Sequence, residues 1–415
     1  MTIMKKNIYL AVLLFLTGCQ NELYKNPLDD FQSEQGVYIA NNGVLQSFVE
    51  EGKDVEIKGL QVALAVQDTK EIKVTLEAGN QAQLDAYNAK NGTNYIVLPK
   101  EMYEISQKIT FMPLYAMMDV PISLKNVKFS LEGNYALPIR ITGGDVNIIR
   151  GQEETLLVLE QRVNTKALRI STSGSGSGSE DDKMFPNDFK VDQWTMEVMV
   201  NRASYKSNNR SICGTKLVAN AGPMDEIYTR FGDVTINPNQ LQIKTGSSQI
   251  DVPADKFSAQ PDTWYMLAFV YDGQKNYVYV NGVLVADREI RTGPYGLIGF
   301  WIGGSNELIR EVRFWKTART SQEIASNIWK MVNPDDDNAR ALCMLLYHVQ
   351  PEPDIDNLLL YYPLNGKKRD SATGEITEDE TLLWDWSKNG KNLPKPSSYS
   401  FDDNKGNGFI FPPQE

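Results

Sequence analysis

Side chains able to do covalent chemistry are few in this chain of 415 residues. His348 is its only histidine, so a Ser-His-Asp or Cys-His arrangement would have to be built on that one residue. Its neighbours, "LLYHVQ", are apolar and read as a strand or helix core. Glycoside hydrolysis would need two facing carboxylates. The acids of "PMDEIY" and "NPDDDN" have the wrong spacing for that and read as solvated loops. The second run also lacks the glycine and distal glutamate of an EF-hand loop, and no metal site is expected there. Flat aromatic rings are the remaining resource, because sugars stack their C–H faces on them in sites that also carry polar groups. In "YMLAFVYDGQKNYVYVNGVLVA" (265–286), Tyr277 and Tyr279 alternate with Val278 and Val280, so a strand would put the tyrosines on one face and the valines in a core. Trp301, alternating with Ile302 on another strand, and Tyr295 in "TGPYG" join them as candidate carbohydrate contacts. Cross-strand packing, or cover from the C-terminal segment, is the competing use of the tyrosine pair.

The elements that must position these rings are strands. Asp272-Gly273 and Asn281-Gly282 accept positive φ at both central residues, the requirement of a two-residue hairpin turn. From Gly36 to Leu159 short alternating runs such as "EIKVTLEA" and "ALPIRIT" recur between Gly, Asn and Asp clusters, so residues 36–160 read as an immunoglobulin-like β-sandwich. Its one helix, "NQAQLDAYNAKNG", should stop at Asn91-Gly92. Thr320 with Glu323 forms a capping box for a second short helix bearing Ile324, Ile328 and Met331. "STSGSGSGSEDD" (171–182) reads as a loop, and no amphipathic helix follows its glycines to build a phosphate cradle.

Two resemblances sharpen this organisation. "LDAYNAKNGTNYIVLP", followed by the "YALPIRI" strand, resembles the N-terminal domain of unknown function found in surface lipoproteins of glycan-degrading Bacteroidetes. It covers roughly residues 30 to 160 and implies no catalytic residue. The ordered series "QWTMEVMVN", "TWYMLAFVYDG", "YVYVNGVLVA", "LIGFWIGGS" and "REVRFWKTARTSQEI" resembles the laminin-G-like, concanavalin A-like lectin/glucanase domain. That resemblance implies a jelly-roll of two packed antiparallel sheets over residues 165–415, with Trp194, Trp264 and Trp315 in core positions. Glucanases of this fold carry an alternating Glu-x-Asp-x-x-Glu strand that is missing here, so binding rather than turnover is expected. Many relatives have an aspartate before the glutamate of "REVRFW", and some bind Ca²⁺ at the rim. Arg310 stands at that position, which weighs against calcium, and no cofactor is expected. "LLLYYPLNG" and "WDWSKNGKNL" resemble segments that often open this domain, yet they follow the helix; closure of the sandwich is favoured over a truncated repeat.

The N-terminus sets the compartment. "MTIMKKNIYLAVLLFLTGC" has a basic start and an apolar run too short to span a bilayer, which needs about 20 residues. "LTGC" resembles the lipobox of bacterial lipoproteins and implies lipidation of Cys19, leaving residues 20–35 as a tether. The expected location is the outer membrane at the cell surface, with the periplasmic face as the alternative because Glu22 is the only acid soon after Cys19. With 42 Lys and Arg against 53 Asp and Glu, giving a net charge of −11, the basic patch of a nucleic-acid binder is not evident and no nucleic-acid partner is expected. Cys213 and Cys343 could pair in an exported protein, but their apolar neighbours favour two buried thiols. A lipid-anchored binder of a glycan or glycoprotein, passing sugar chains to separate transport or hydrolytic proteins, is the expectation. An adhesion or scaffolding protein and a hydrolase with an unfamiliar site are the alternatives.

Overall fold

The computed structural model describes residues 35–413 apart from 131–132, 172–173, 178–182, 217–225, 247, 305, 333 and 335–353. Cys19, Cys343, His348, Asp225 and the acids of 335–337 therefore lie outside the described residues. The fold is all-β, with two sandwiches in tandem.

The first sandwich follows from period-two patterning. In Ile72–Ala78, Ile72, Val74 and Leu76 are buried while Lys73 and Glu77 are exposed, the signature of a sheet with one face in the core. This strand lies in a sheet running Gly43–Glu50, Glu154–Thr165, Asn134–Gly144, Ile72–Ala78, Lys108–Phe111. Its inner side chains, among them Leu76, Leu137 and Leu157, share a core with Val37 and Val62 of an opposing sheet. The helix Gln81–Asn91 begins with a reciprocal Asn80–Gln83 capping box. It ends where Gly92 takes φ +66°, a left-handed conformation that costs glycine little. Leu84 docks it on Ala136, Leu156 and Val158.

The second sandwich packs two antiparallel sheets. The larger runs Val283–Glu289, Lys275–Val280, Trp264–Tyr271, Trp194–Arg202, Glu307–Trp315, Ala167–Ile170, Tyr399–Asp402, with Leu358–Tyr362 also on Glu307–Trp315. The smaller runs Gly174–Ser177, Gly299–Gly304, Arg210–Lys216, Ile227–Phe231, Leu241–Thr245, Ser248–Asp251. Val278, Leu267, Phe300 and Ile243 lie in the core between them. Cys213 is a free thiol in that core, and burial pushes its pKa well above the usual range.

Three local details differ from the sequence expectation or refine it. At Asn281-Gly282 both residues have positive φ (+47° and +78°), as a two-residue primed turn requires. At Asp272-Gly273 only the glycine does (+101°), and the loop spans 272–274. There Asp272 Oδ1 accepts the N–H groups of Gln274 and Lys275 at 2.8 and 2.7 Å, so a side-chain turn replaces the primed one. Part of the Gly-Ser run is not loop: Gly174–Ser177 adds an edge strand beside Gly299–Gly304.

The C-terminal segment closes the second sandwich through Leu358–Tyr362, but the chain does not end there. Phe409–Phe411 pairs with Val163–Thr165, so the last strand joins a strand of the first sandwich. Phe411 is buried among Val163, Met199 and Met266. Lys330 Nζ donates to the Gly133 carbonyl at 3.1 Å, and the Met331 N–H donates to Gln161 Oε1 at 3.2 Å. Backbone pairing and side-chain bonds thus join the two sandwiches.

Candidate functional site

The alternation of the strand Lys275–Val280 holds. Val278 and Val280 enter the intersheet core, and Tyr277 and Tyr279 point away from it. That outer face is nevertheless covered. Tyr279 is 7% exposed and packs with Ala268, Val270 and Ile324, the last from the helix Ser321–Ser326. The cover comes from this helix rather than from "LLLYYPLNG". Tyr277 is half-buried; its hydroxyl donates to Asp272 Oδ2 at 2.9 Å, and Lys275 lies over its ring.

Further along the same face a buried charged layer takes over. Glu311 accepts from Arg310 Nη2 at 2.7 Å, Arg313 Nη2 at 2.8 Å and the Tyr361 hydroxyl at 2.9 Å. Glu197 accepts from Trp315 Nε1 at 2.8 Å and faces Arg313 at 3.5 Å. All six side chains are buried. Arg310 also stacks 4.4 Å from the centre of the Phe411 ring. The position that relatives give to an aspartate is therefore filled by a cation of the domain junction. Among the described residues, no group of three or more His, Cys, Asp or Glu is placed to hold a metal.

Tyr295 requires a correction. It has no exposed surface, its short strand pairs with Lys190–Val191, and its ring meets Tyr271 and Trp194 edge-on at 5.0 and 5.9 Å. The tight Gly-Pro-Tyr-Gly path turns it inward, where its large apolar ring fills the core. Trp301 lies on the smaller sheet, so it cannot share a face with Tyr277 and Tyr279. The four candidate rings do not form one surface.

Trp301 instead belongs to a row across the outer face of the smaller sheet. Registered pairs run Trp301–Gly214, Gly214–Tyr228, Tyr228–Lys244 and Lys244–Gln249. Their chain neighbours Ile227, Ile243, Phe300 and Ile302 point into the core, which puts the row on the opposite side. Gly214 sits between the two aromatic residues. A Cβ there would lie 2.5 Å from the Cβ of Tyr228 and 2.9 Å from Cζ2 of Trp301. The indole thus leans over the glycine.

A second outward row is polar. Arg230 donates to Gln242 Oε1 and Asn209 Oδ1, each at 2.6 Å, and pairs with Asp233. The Gln242 amide donates to Asp251 at 2.6 Å and Asp233 at 3.2 Å. Gln249 and Asp251 also line a cleft of about 360 Å³ at the rim between the sheets, with Asp287 and Arg288 on its far wall. Two half-buried aromatic side chains, fixed amides and charges, and an adjoining cleft offer apolar faces and hydrogen-bonding groups side by side.

Sequence reasoning missed every member of this face except Trp301. The signal was present in "IYTRF" and "LQIKT", where Tyr228 and Arg230, and Gln242 and Lys244, alternate with core residues.

Comparison with known proteins agrees with this architecture. Residues 172–325 match the model of the concanavalin A-like lectin/glucanases superfamily, laminin-G type, and residues 31–148 match the model of an N-terminal domain family. A solved Bacteroides ovatus protein, named as a candidate carbohydrate-binding protein, aligns at 21% identity and TM-score 0.51 over 88% of this chain and 97% of its own. That likeness establishes the shared two-domain fold. A Limulus polyphemus pentraxin aligns at 15% identity and TM-score 0.26, covering 39% of this chain and 75% of its own, too remote to carry an argument. No curated protein matches the chain.

Proposed function

We propose that this chain, which carries a concanavalin A-like lectin/glucanase domain behind an immunoglobulin-like sandwich, is a lipid-anchored glycan-binding protein of the cell envelope. Cys19 holds it at the outer membrane, and the outer face of the smaller sheet takes a polysaccharide or glycoprotein glycan for a utilisation system. One observation carries the reading: Trp301 and Tyr228 flank Gly214 beside a fixed amide and charge network. The rings supply stacking surface for sugar C–H groups, and Lys244, Gln249 and the adjoining cleft supply partners for hydroxyls.

Asp233 beside this face is not suited to be a general acid. Asp233 is held below the usual carboxylate range by the Val234 N–H, Gln242 and Arg230, whereas a general acid needs a raised pKa. Asp385, pushed up to about 6 by burial, accepts the N–H groups of Tyr361, Ser387 and Lys391 inside the fold and serves the structure.

The test uses residues 20–415, which contain every described strand. Screening against a glycan panel should give a ligand, and Trp301→Ala and Tyr228→Ala should each weaken it about tenfold or more, the scale of an interface hot spot. Unchanged affinity in both variants would remove this face from the reading. Separately, Cys19→Ala in the full chain should free the protein from membranes without detergent, and unaltered fractionation would defeat the anchor.

A further inference from the structure

One end of the first sandwich displays apolar side chains to solvent. Val66, Met112, Leu114, Tyr115 and Met117 are 39 to 63% exposed. Two neighbouring loops carry the first four, one following the strand Gln61–Leu64 and one joining Lys108–Phe111 to Met117–Asp119, and Met117 opens the strand that the second loop enters. The loops are pinned together: the Leu114 N–H donates to the Asp68 carbonyl at 2.7 Å, and the Leu64 N–H donates to the Ala116 carbonyl at 2.8 Å. Leu114 itself is held at φ +68°, a conformation unfavourable for a branched apolar residue. The backbone thus holds these side chains outward although burial would favour them. A concentrated exposed apolar patch marks a protein or membrane contact.

The chain entry point identifies which contact. Gln35, where the described chain begins, is tied to this tip in both directions. Its Nε2 donates to the Val66 carbonyl at 2.7 Å, and its Oε1 accepts the Val66 N–H at 3.2 Å. Fifteen residues, 20–34, separate Cys19 from this point. At about 3.3–3.6 Å each they reach at most about 54 Å. The tether therefore leaves the fold beside the apolar tip.

We infer that the tip formed by Val66, Met112, Leu114, Tyr115 and Met117 rests on the bilayer surface as a second, reversible membrane contact beside the lipid. The inference rests on the anchor at Cys19. Met and Leu side chains suit the headgroup–acyl boundary, and Tyr115 suits the interface, where amphipathic rings collect. A short tether makes weak insertion effective, because it holds the tip at high local concentration near the lipid. The contact orients the first sandwich with this end toward the membrane.

The test supplies the anchor artificially, so failure of lipidation at Cys19 leaves it intact. Residues 20–415 with an N-terminal polyhistidine tag are captured on phosphatidylcholine vesicles containing a nickel-chelating lipid. A polarity-sensitive dye is placed at Leu114→Cys in a Cys343→Ser background, Cys213 being buried. Capture should shift the emission to the blue. The same dye at Val234→Cys, on a fully exposed residue of the second sandwich, should not respond. Tyr115→Ser combined with Met117→Ser should abolish the shift without lowering the melting temperature. A water-like spectrum on vesicles would overturn the inference. So would a blue-shifted spectrum without vesicles: independence of protein concentration would assign the tip to residues 20–34, and a rise with concentration to a second copy.

Discussion

Cζ2 of Trp301 lies 2.9 Å from the point where a Cβ on Gly214 would stand. The same Cβ would approach the Ile227 carbonyl oxygen to 2.5 Å, so the ring cannot simply swing aside to admit a methyl group. Gly214→Ala must move backbone as well as indole. It should cost about 1–3 kcal/mol, the range for overpacking, and weaken glycan binding together with stability. Chemical denaturation and a glycan titration of the same variant check it; a variant as stable as the parent would show that the close approach does not matter.

Tyr279 makes the opposite prediction. Its ring is buried under Ile324 on the far sheet, so Tyr279→Ala removes core-like packing and opens a cavity. A loss of about 3–5 kcal/mol is expected, by analogy with Phe→Ala in cores, with glycan affinity unchanged. Affinity lost at full stability would return the tyrosine face to candidacy.

A third prediction concerns the charged layer that seals that face. Glu311→Gln keeps the shape but removes the carboxylate shared by Arg310, Arg313 and Tyr361. Arg313 would then keep only Glu197, at 3.5 Å, and Arg310 would lose the one carboxylate it is bonded to. Breaking a buried pair in this way costs about 3–5 kcal/mol, readable as a lower midpoint in urea with unchanged slope.

Sequence patterning exposed the scaffold better than the surface it supports. Val278 and Val280 declared the core face by alternation, and Thr320 with Glu323 declared the helix by a cap that the structure reproduces. Those signals are local, so they survive without tertiary knowledge. Whether Tyr279 is open depends on Ile324, 45 positions later in the chain, and nothing in the alternation of its own strand records that cover. Trp301 and Tyr228 meet through a register between strands far apart in sequence, with a glycine as the only local mark. The inward turn of Tyr295 has the same origin: its aromatic partners Trp194 and Tyr271 lie on other strands. The return of Phe409–Phe411 to the first sandwich carried no signal beyond a short apolar run at the chain end.

The domain junction yields the last prediction, through Lys330. Its amine is buried against the first sandwich, donating to the Gly133 and Ser130 carbonyls, and burial lowers its pKa to about 7. Glu160 and Glu51 oppose that shift, and Arg319 adds to it. An unfolded lysine titrates near 10.4, so between pH 7 and about 10.4 the unfolded chain binds the proton that the folded chain has released. Stability therefore rises with pH across that window, and the cost of burying the charge is fully present only below it. Lys330→Met replaces the amine by an apolar chain of similar reach and removes that proton from both states. Urea midpoints of the parent should climb from neutral toward alkaline pH relative to those of the variant, and the difference between the two should level off below pH 7. Parallel profiles for parent and variant would mean that Lys330 stays charged at the junction, held there by Glu160 and Glu51.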